Sequence, residues 1–505
     1  MATFVPVTGN SPDDRGLAHW MERVLRELEN LQTTPNKDTV HDLRVAIRRC
    51  RSVAAVMREV DSASAWHEMR SIPKKLFRKL GELRDTQIMD EWVVEHGAEN
   101  DKLRMALHKF FQEREPKLRQ EALRLATKFD RKAWQRLNNK LRKRVCLVPP
   151  QSLAAQCLAF ERLSEARELH ARALRADKPA AWHALRIGLK KFRYTVENLL
   201  PEEYQSWSPN LKLLQDLLGE VHDLDVLREI IKQRATGDIA NLLPEWERTI
   251  ERQRAARLQE YRDAAIGKNS VWREWQQGLP RQNRLQIAAT ARLRATARAS
   301  DAHPRRAVRI SRLSMALFDA LGRAHSAPAF NDANLRRVLR GAARLCGIRV
   351  KGSSKPAKKA VRHFLLKRPA PPSWTRKEWE LLGWTVRYYR GLEPTARSRA
   401  FARLGQSQQS NVRALAGIVR LARGLRKCGI EYCSGFRAEK SAAAVLLHVP
   451  GLVDSAENAA RLAAAKHLLD TYLGKPLIPK VAEVAQLIAL PSPTSQVVPI
   501  AAASD

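Results

Sequence analysis

Through most of the first 280 residues, apolar residues recur roughly every three to four positions, the spacing that places them on one side of an α-helix. In the segment that begins at His41, Leu43 and Ile47 belong to such a stripe, and Leu185 and Leu189 repeat it further along the chain. Short breaks containing Pro or Asn separate these segments, and the alternation typical of strands is nearly absent. The pattern predicts a succession of packed helices.

The same region contains an internal repeat of about 140 residues. The first copy reads His-Asp-Leu-Arg-Val-Ala-Ile-Arg-Arg-Cys-Arg from His41, and the second reads His-Ala-Leu-Arg-Ile-Gly-Leu-Lys-Lys-Phe-Arg from His183. A second matching pair follows in each copy, where Gly-Glu-Leu-Arg-Asp from Gly81 corresponds to Gly-Glu-Val-His-Asp from Gly219. Two similar halves predict two similar helical bundles.

An advance of about 100° per residue gathers the basic residues of each copy on one arc of its helix. Each copy contributes four residues at identical spacing: His41, Arg44, Arg48 and Arg51, and His183, Arg186, Lys190 and Arg193. A solvated helix face normally carries both charge signs, whereas these arcs are basic only. Like charges on successive turns repel each other unless an anion neutralises them. We therefore favour an anion-binding face over a solvated one, although the histidines alone would also fit as capping or packing residues.

The overall charge supports a polyanion as the partner. The 505 residues include 90 Lys and Arg against 53 Asp and Glu, a formal net charge of +37. Such an excess repels itself in a compact protein and creates a strong attractive field for anions. Because the sequence contains no signal-like segment and no apolar run of membrane-spanning length, we expect a cytoplasmic protein without a membrane partner.

The character of the chain changes after residue 280. The predicted parts are a helical domain at residues 12–280 with repeats at about 12–140 and 150–280, a basic linker or an exposed helix at 281–305, a second helical domain at 306–484 and a disordered tail at 485–505. Residues 281–505 contain 40 Lys and Arg against 13 Asp and Glu, so this part carries 27 of the 37 net positive charges. The second part therefore carries a large excess of positive charge without a regular spacing, whereas the first part carries a smaller excess at regularly spaced positions.

The repeated motifs resemble the conserved-histidine α-helical (CHAD) domain family. The pattern His-x-x-Arg-x-x-x-Arg-Arg-x-Arg at His41, its copy at His183 and the segments at Gly81 and Gly219 carry this resemblance. The resemblance implies two pseudo-symmetric four-helix bundles with a basic channel between them, and binding of inorganic polyphosphate at polyphosphate granules. The binding residues that it implies are His41, Arg44, Arg48, Arg49, Arg51, Lys74, Arg84, His183, Arg186, Lys190, Lys191, Arg193 and Lys212. The halves differ in that His222 stands where the first has Arg84.

Residues from about 306 to 480 are similar to the helical HD-like domain at the end of exopolyphosphatase/guanosine pentaphosphate phosphohydrolase proteins. The positions of the metal ligands in that domain are occupied here by Arg306, Cys346-Gly347, Tyr389 and Arg423. A hydrolytic metal site needs neutral His and carboxylate ligands to hold the cation and activate water. We therefore predict a degenerate, catalytically inactive domain with no metal, no cofactor and no catalytic residues.

The combined prediction is an all-α, non-enzymatic protein that binds inorganic polyphosphate. A nucleic-acid-binding protein is the alternative, because bulk charge alone does not separate the two polyanions. Single-strand binders interleave aromatic with basic residues for base stacking, and the basic arcs contain no aromatic residue. A phosphohydrolase of polyphosphate or guanosine polyphosphate is the least favoured reading, for want of ligands. Granule proteins are further candidate partners, and the oligomeric state stays open.

Overall fold

The computed structural model describes residues 16–300, 303–348, 357–391, 393–395, 398–431 and 434–482. It divides into two compact units, of which the first contains the described residues up to Ser300 together with Pro371–Ser373. The second contains the remainder. The predicted tail at 485–505 and residues 12–15 of the first predicted domain lie outside the described residues.

The first unit consists of helices. In chain order they are α1 (Leu17–Thr33), α2 (Lys37–Met57), α3 (Ser64–Ser71), α4 (Lys74–His96), α5 (Lys102–Thr127), α6 (Arg131–Val145), α7 (Leu153–Ala176), α8 (Pro179–Leu199), α9 (Pro201–Arg234), α10 (Leu243–Ala265), α11 (Val271–Gly278) and α12 (Gln282–Ser300). Local sequence determines where the two repeated helices begin. Asn36 caps α2, because its side chain accepts a hydrogen bond from the Thr39 N–H at 2.8 Å. Pro179 opens α8 at a position where its missing N–H is not needed.

The two sequence repeats supply corresponding sets of long helices. Helices α1, α2, α4 and α5 pack together in the first repeat, α7 to α10 follow in the second, and α2 packs against α8. The predicted apolar stripe is confirmed, since Leu43 and Ile47 of α2 and Leu185 and Leu189 of α8 are fully buried in one shared hydrophobic core. Burial of these stripes stabilises the pairing and leaves the basic arcs of the two helices near each other.

A second, smaller core joins the C-terminal parts of α4 and α9 to the N-terminal parts of α5 and α10. Met89, Leu107, Leu227 and Ile250, one from each helix, belong to this cluster. The two repeats are therefore held together at two places along α4 and α9.

The segment predicted as a basic linker or an exposed helix is a partly buried helix in the structure. Most of it forms α12, which packs against α7 and buries Ala288 and Ala289. Arg292 is only 3% exposed, and its Nη1 lies 3.1 Å from Oε1 of Glu161. The small alanines allow close helix packing, and the ion pair compensates the buried charge. This helix belongs to the first unit.

The second unit is helical with one small sheet. Its elements are α13 (Pro304–Arg323), α14 (Ala333–Leu345), α15 (Ala357–Leu366), α16 (Arg376–Tyr388), α17 (Arg399–Ala402), α18 (Gln406–Lys427), β1 (Arg437–Lys440), β2 (Val445–Pro450), α19 (Ala456–Leu473) and β3 (Leu477–Ala482). Helix α18 is the buried centre of the unit and packs against α13, α16 and α19. The prediction of an all-α fold with a helical second domain is confirmed.

The sheet was not predicted from the sequence. Strand β2 lies in the middle, antiparallel to β1 and parallel to β3. A short apolar run such as Val445–Pro450 fits a strand or a buried helix equally well by periodicity. Its parallel partner arrives only after α19, so the pairing depends on contacts distant in sequence. Among the described helices we find none that combines the length and apolar character of a transmembrane span.

Candidate functional site

The basic arcs of α2 and α8 meet where these helices pack. Arg44 and Arg48 extend from α2, and Arg186 and Lys190 extend from α8, all of them half-buried. We call these four residues the inter-repeat cluster. The guanidinium carbon of Arg48 lies 5.7 Å from the ring centroid of Tyr194 on α8, a direct contact between the two repeats.

The four cationic groups are close enough to perturb one another. Burial lowers the pKa of Lys190 to about 7, and the charges of Arg186 and Arg44 contribute to this decrease. Burial also lowers the pKa of Arg44, with Arg48 and Arg186 acting in the same direction. Arg186 and Lys190 from one repeat thus share an electrostatic environment with Arg44 and Arg48 from the other.

Within the part of the chain that the structure describes, no carboxylate forms an ion pair with any member of the inter-repeat cluster. In addition, the Nε atoms of Arg44, Arg48 and Arg186 are buried without a hydrogen-bond partner. A buried, unsatisfied charged donor is destabilising, and an anion that accepted hydrogen bonds from these groups would relieve that cost. The cluster therefore has the chemistry of an anion site.

Two aspartates border the cluster at equivalent positions of the two repeats. Asp85 attracts Arg44, and Asp223 lies near Arg186 and Lys190. Burial raises the pKa of Asp223 to about 6, although the charge of Arg186 acts in the opposite direction. Sequence reasoning did not include these aspartates among the site residues. The signal was present, because each follows a repeated glycine by four residues.

The repeated glycine of the first half has a spatial role. A Cβ atom added at Gly81 would lie 3.9 Å from both Nε and Nη2 of Arg44, so the guanidinium of Arg44 crosses over this glycine. A larger side chain on α4 would compete with Arg44 for this space. The corresponding Gly219 faces open space, with no atom within 4 Å of an added Cβ.

The histidines of the two repeats have different neighbours. His41 is exposed on the surface. The partial burial of its ring lowers its pKa most, and the charges of Arg48 and Arg84 lower it further. In the second repeat, Nδ1 of His183 lies 3.2 Å from Nδ1 of His222, so one imidazole donates to the other. Burial lowers the pKa of His222 to about 4, with a contribution from Arg186. Arg84 and His222 occupy equivalent places, but only Arg84 brings a permanent charge.

Several predicted binding residues have partners within the protein instead of facing the cluster. Arg49 forms an ion pair with Glu197, whose side chain is 5% exposed. The Nζ atom of Lys191 lies 2.7 Å from Oε1 of Glu165. These two cations have the same spacing as the others, but carboxylates of neighbouring helices already neutralise them.

The remaining predicted residues are not members of the inter-repeat cluster. Arg51 donates a hydrogen bond to the backbone carbonyl of Arg70. The pKa of Arg193 is raised, because Tyr204 and Glu197 outweigh the opposing effect of burial. Lys74 and Lys212 are exposed on α4 and α9. In the described residues, no three His, Cys, Asp or Glu side chains are arranged to hold a metal ion.

A match to a family model supports the resemblance for part of the first unit. Residues 16–232 match the family model of the CHAD domain. The chain is also similar to the crystal structure of the CHAD domain from the plant Ricinus communis, with 19% sequence identity over 52% of this chain and 90% of that chain, and a TM-score of 0.36. A comparison with curated proteins gave no match. The predicted CHAD domain is confirmed, and the HD-like resemblance of the second unit stays a prediction.

Proposed function

Starting from the CHAD domain in residues 16–232, we propose that this protein binds inorganic polyphosphate without changing it chemically. The CHAD family is commonly associated with polyphosphate binding. The binding site is the inter-repeat cluster, in which cations from both repeats contact successive phosphates of one chain. Association with polyphosphate granules follows as part of the same proposal.

One observation carries the proposal. The cluster combines Arg44 and Arg48 from one helix with Arg186 and Lys190 from another, and no described carboxylate pairs with any of them. Arginine offers two parallel donors to a phosphate, and lysine adds a point charge. Polyphosphate repeats one charged unit along its length. A row of fixed cations therefore matches this polymer better than it matches a ligand with a single charge.

The polymer would accept the hydrogen bonds that the buried guanidinium groups lack and would release its own bound cations. By analogy with other polyanions, the affinity should therefore fall steeply as the salt concentration rises. The half-buried position of the cluster limits screening by salt, so part of the affinity should persist where exposed charges no longer contribute.

Charge reversal within the cluster tests the proposal. We expect the variant Arg44→Glu with Arg186→Glu to bind immobilised polyphosphate about a hundredfold more weakly, because two charge-assisted contacts become repulsive. The matched control is Arg136→Glu with Arg172→Glu, an identical charge change at two exposed positions of α6 and α7. Arg292 is unsuitable as a control, since it is buried beside Glu161. Equal losses in both variants would mean that bulk charge alone accounts for binding.

Competition separates polyphosphate from nucleic acid. Single- and double-stranded DNA and heparin are added to the immobilised complex at equal charge concentration and fixed salt. DNA that displaces the protein as well as free polyphosphate does would contradict a specific polyphosphate site. The non-enzymatic part of the proposal is tested by phosphate release in the presence of Mg²⁺ or Mn²⁺, and sustained release by the pure protein would contradict it.

A further inference from the structure

Three arginines from two helices of the second unit form a further cationic group. Arg306 lies in the first turn of α13, and Arg423 and Arg426 lie near the end of α18, which packs against α13. We call these three residues the arginine cluster. The guanidinium carbon of Arg423 lies 5.0 Å from the ring centroid of Tyr389, and its Nη1 donates a hydrogen bond to the Tyr389 carbonyl at 3.4 Å.

Arg306 lies close enough to affect both other members of the cluster. Burial lowers the pKa of Arg423, and the charge of Arg306 acts in the same direction. Burial likewise lowers the pKa of Arg426, with Arg306 again contributing. Arg306 thus lies within electrostatic reach of both arginines on α18, although more than a hundred residues separate it from them in sequence.

Two carboxylates of this unit are engaged with other side chains. Oε1 of Glu431 lies 2.8 Å from Nη1 of Arg309, on the next turn of α13. Oε1 of Glu393 lies 3.3 Å from Nε2 of His467. Within the described residues, neither Arg306 nor Arg426 forms an ion pair with a carboxylate. The arginine cluster therefore has an excess of positive charge at one place.

The excess of positive charge includes Arg306, whose position in α13 does not stabilise the folded protein. The first turn of a helix is its positive end, where carboxylates are favourable and cations are not. This turn of α13 contains no acidic residue, and no side chain caps it. The end of α18 does favour Arg426, but the Nε atom of Arg426 is buried without a hydrogen-bond partner. Among the residues that the structure describes, no ion pair or side-chain hydrogen bond offsets the placement of Arg306.

We propose that Arg306, Arg423 and Arg426 form a second anion site, which binds a phosphate group. A phosphate group combines negative charge with several acceptor oxygens that point in different directions, so it can satisfy converging guanidinium groups that a single carboxylate cannot. Arg306, Tyr389 and Arg423 are positions at which the sequence departs from the HD-like metal-binding pattern, and the structure brings them together. The site is independent of the inter-repeat cluster in the first unit.

The test uses the full chain with binding by the first unit weakened. In a background of Arg44→Gln and Arg186→Gln, calorimetry measures the binding of inorganic pyrophosphate and, separately, of long-chain polyphosphate. Adding Arg306→Gln and Arg426→Gln should weaken binding at least about tenfold, the effect of losing one good charge-assisted contact. The matched control adds Arg399→Gln and Arg403→Gln, two exposed arginines whose substitution removes the same charge.

The outcomes separate the sources of phosphate. A loss of pyrophosphate affinity supports a site for small phosphate compounds, and a loss confined to the long chain supports a site for the polymer. No residual binding in the background variant, or equal binding by the cluster and control variants, would overturn the proposal. Should the double substitution unfold the second unit, Arg306→Gln alone serves as the test, because Arg306 is exposed. Since the cluster and control variants both lack Arg44 and Arg186, any residual binding by the first unit is the same in both, and the difference between them reports on the second unit.

Discussion

The affinity for polyphosphate should depend on pH through one lysine. Burial and the charges of Arg186 and Arg44 lower the pKa of Lys190 to about 7 in the free protein. A bound polyanion stabilises the protonated amine and moves this pKa back toward its ordinary value. Binding is then accompanied by proton uptake, so the affinity decreases as the pH rises above 7.

The size of the effect follows from the same pKa. In the free protein Lys190 is protonated in about half of the molecules at pH 7 and in about one tenth of them at pH 8. The affinity should therefore fall about fivefold between pH 7 and pH 8 and approach a tenfold decrease per unit above that. Asp223, with a pKa of about 6, and His222, with a pKa of about 4, titrate below this range.

Calorimetry in two buffers of different ionisation enthalpy measures both the affinity and the protons taken up. Long chains are used, since their internal phosphates stay ionised across the range. The control is Lys190→Arg, because arginine keeps its charge at every pH used. This variant should bind at pH 8 as well as at pH 7. A wild-type affinity that does not change between pH 7 and pH 8, or a Lys190→Arg variant with the wild-type slope, would refute the reasoning.

Three further predictions concern residues around the cluster. Arg49→Ala should lower the free energy of unfolding by about 2 kcal/mol, because it removes the ion pair of the nearly buried Glu197, whereas polyphosphate affinity should change little. Denaturant titration and binding to immobilised polyphosphate check this. His222→Arg should tighten polyphosphate binding severalfold at pH 7, because it adds the permanent charge that Arg84 brings in the first repeat. An unchanged affinity would argue against an equivalent role for positions 84 and 222. Gly219→Ala should raise the free energy of unfolding by about 0.5–1 kcal/mol, because alanine is the better helix former and the position faces open space; a lower melting temperature would contradict this.

The sequence was sufficient to predict most of the first unit. The periodic stripe that includes Leu43 and Leu185 identified the repeated helices, and both residues are fully buried. The repeat of basic residues at identical spacing pointed to Arg44 and Arg186 as counterparts. Helical periodicity is a local property, so it can be read from one segment without knowing what packs against it.

The tertiary structure decided which of these cations lack a carboxylate. Arg49 and Lys191 match in the two repeats as well as Arg48 and Lys190 do, yet they pair with Glu197 and Glu165. Each partner belongs to a different helix from the cation it neutralises. The spacing along one helix shows on which side of that helix a residue lies. It does not show whether a neighbouring helix places a carboxylate beside that residue.

The same reason accounts for the other differences. The low pKa of Lys190 depends on Arg44, which comes from the other repeat. The segment at 281–305 looked like a linker because its apolar residues are mostly alanines, and only the packing of α12 against α7 buries them. The sequence by itself therefore determined the helices and the repeated rows of positive charge. Burial and charge pairing were decided by the tertiary structure, because both depend on groups that folding brings in from distant parts of the chain.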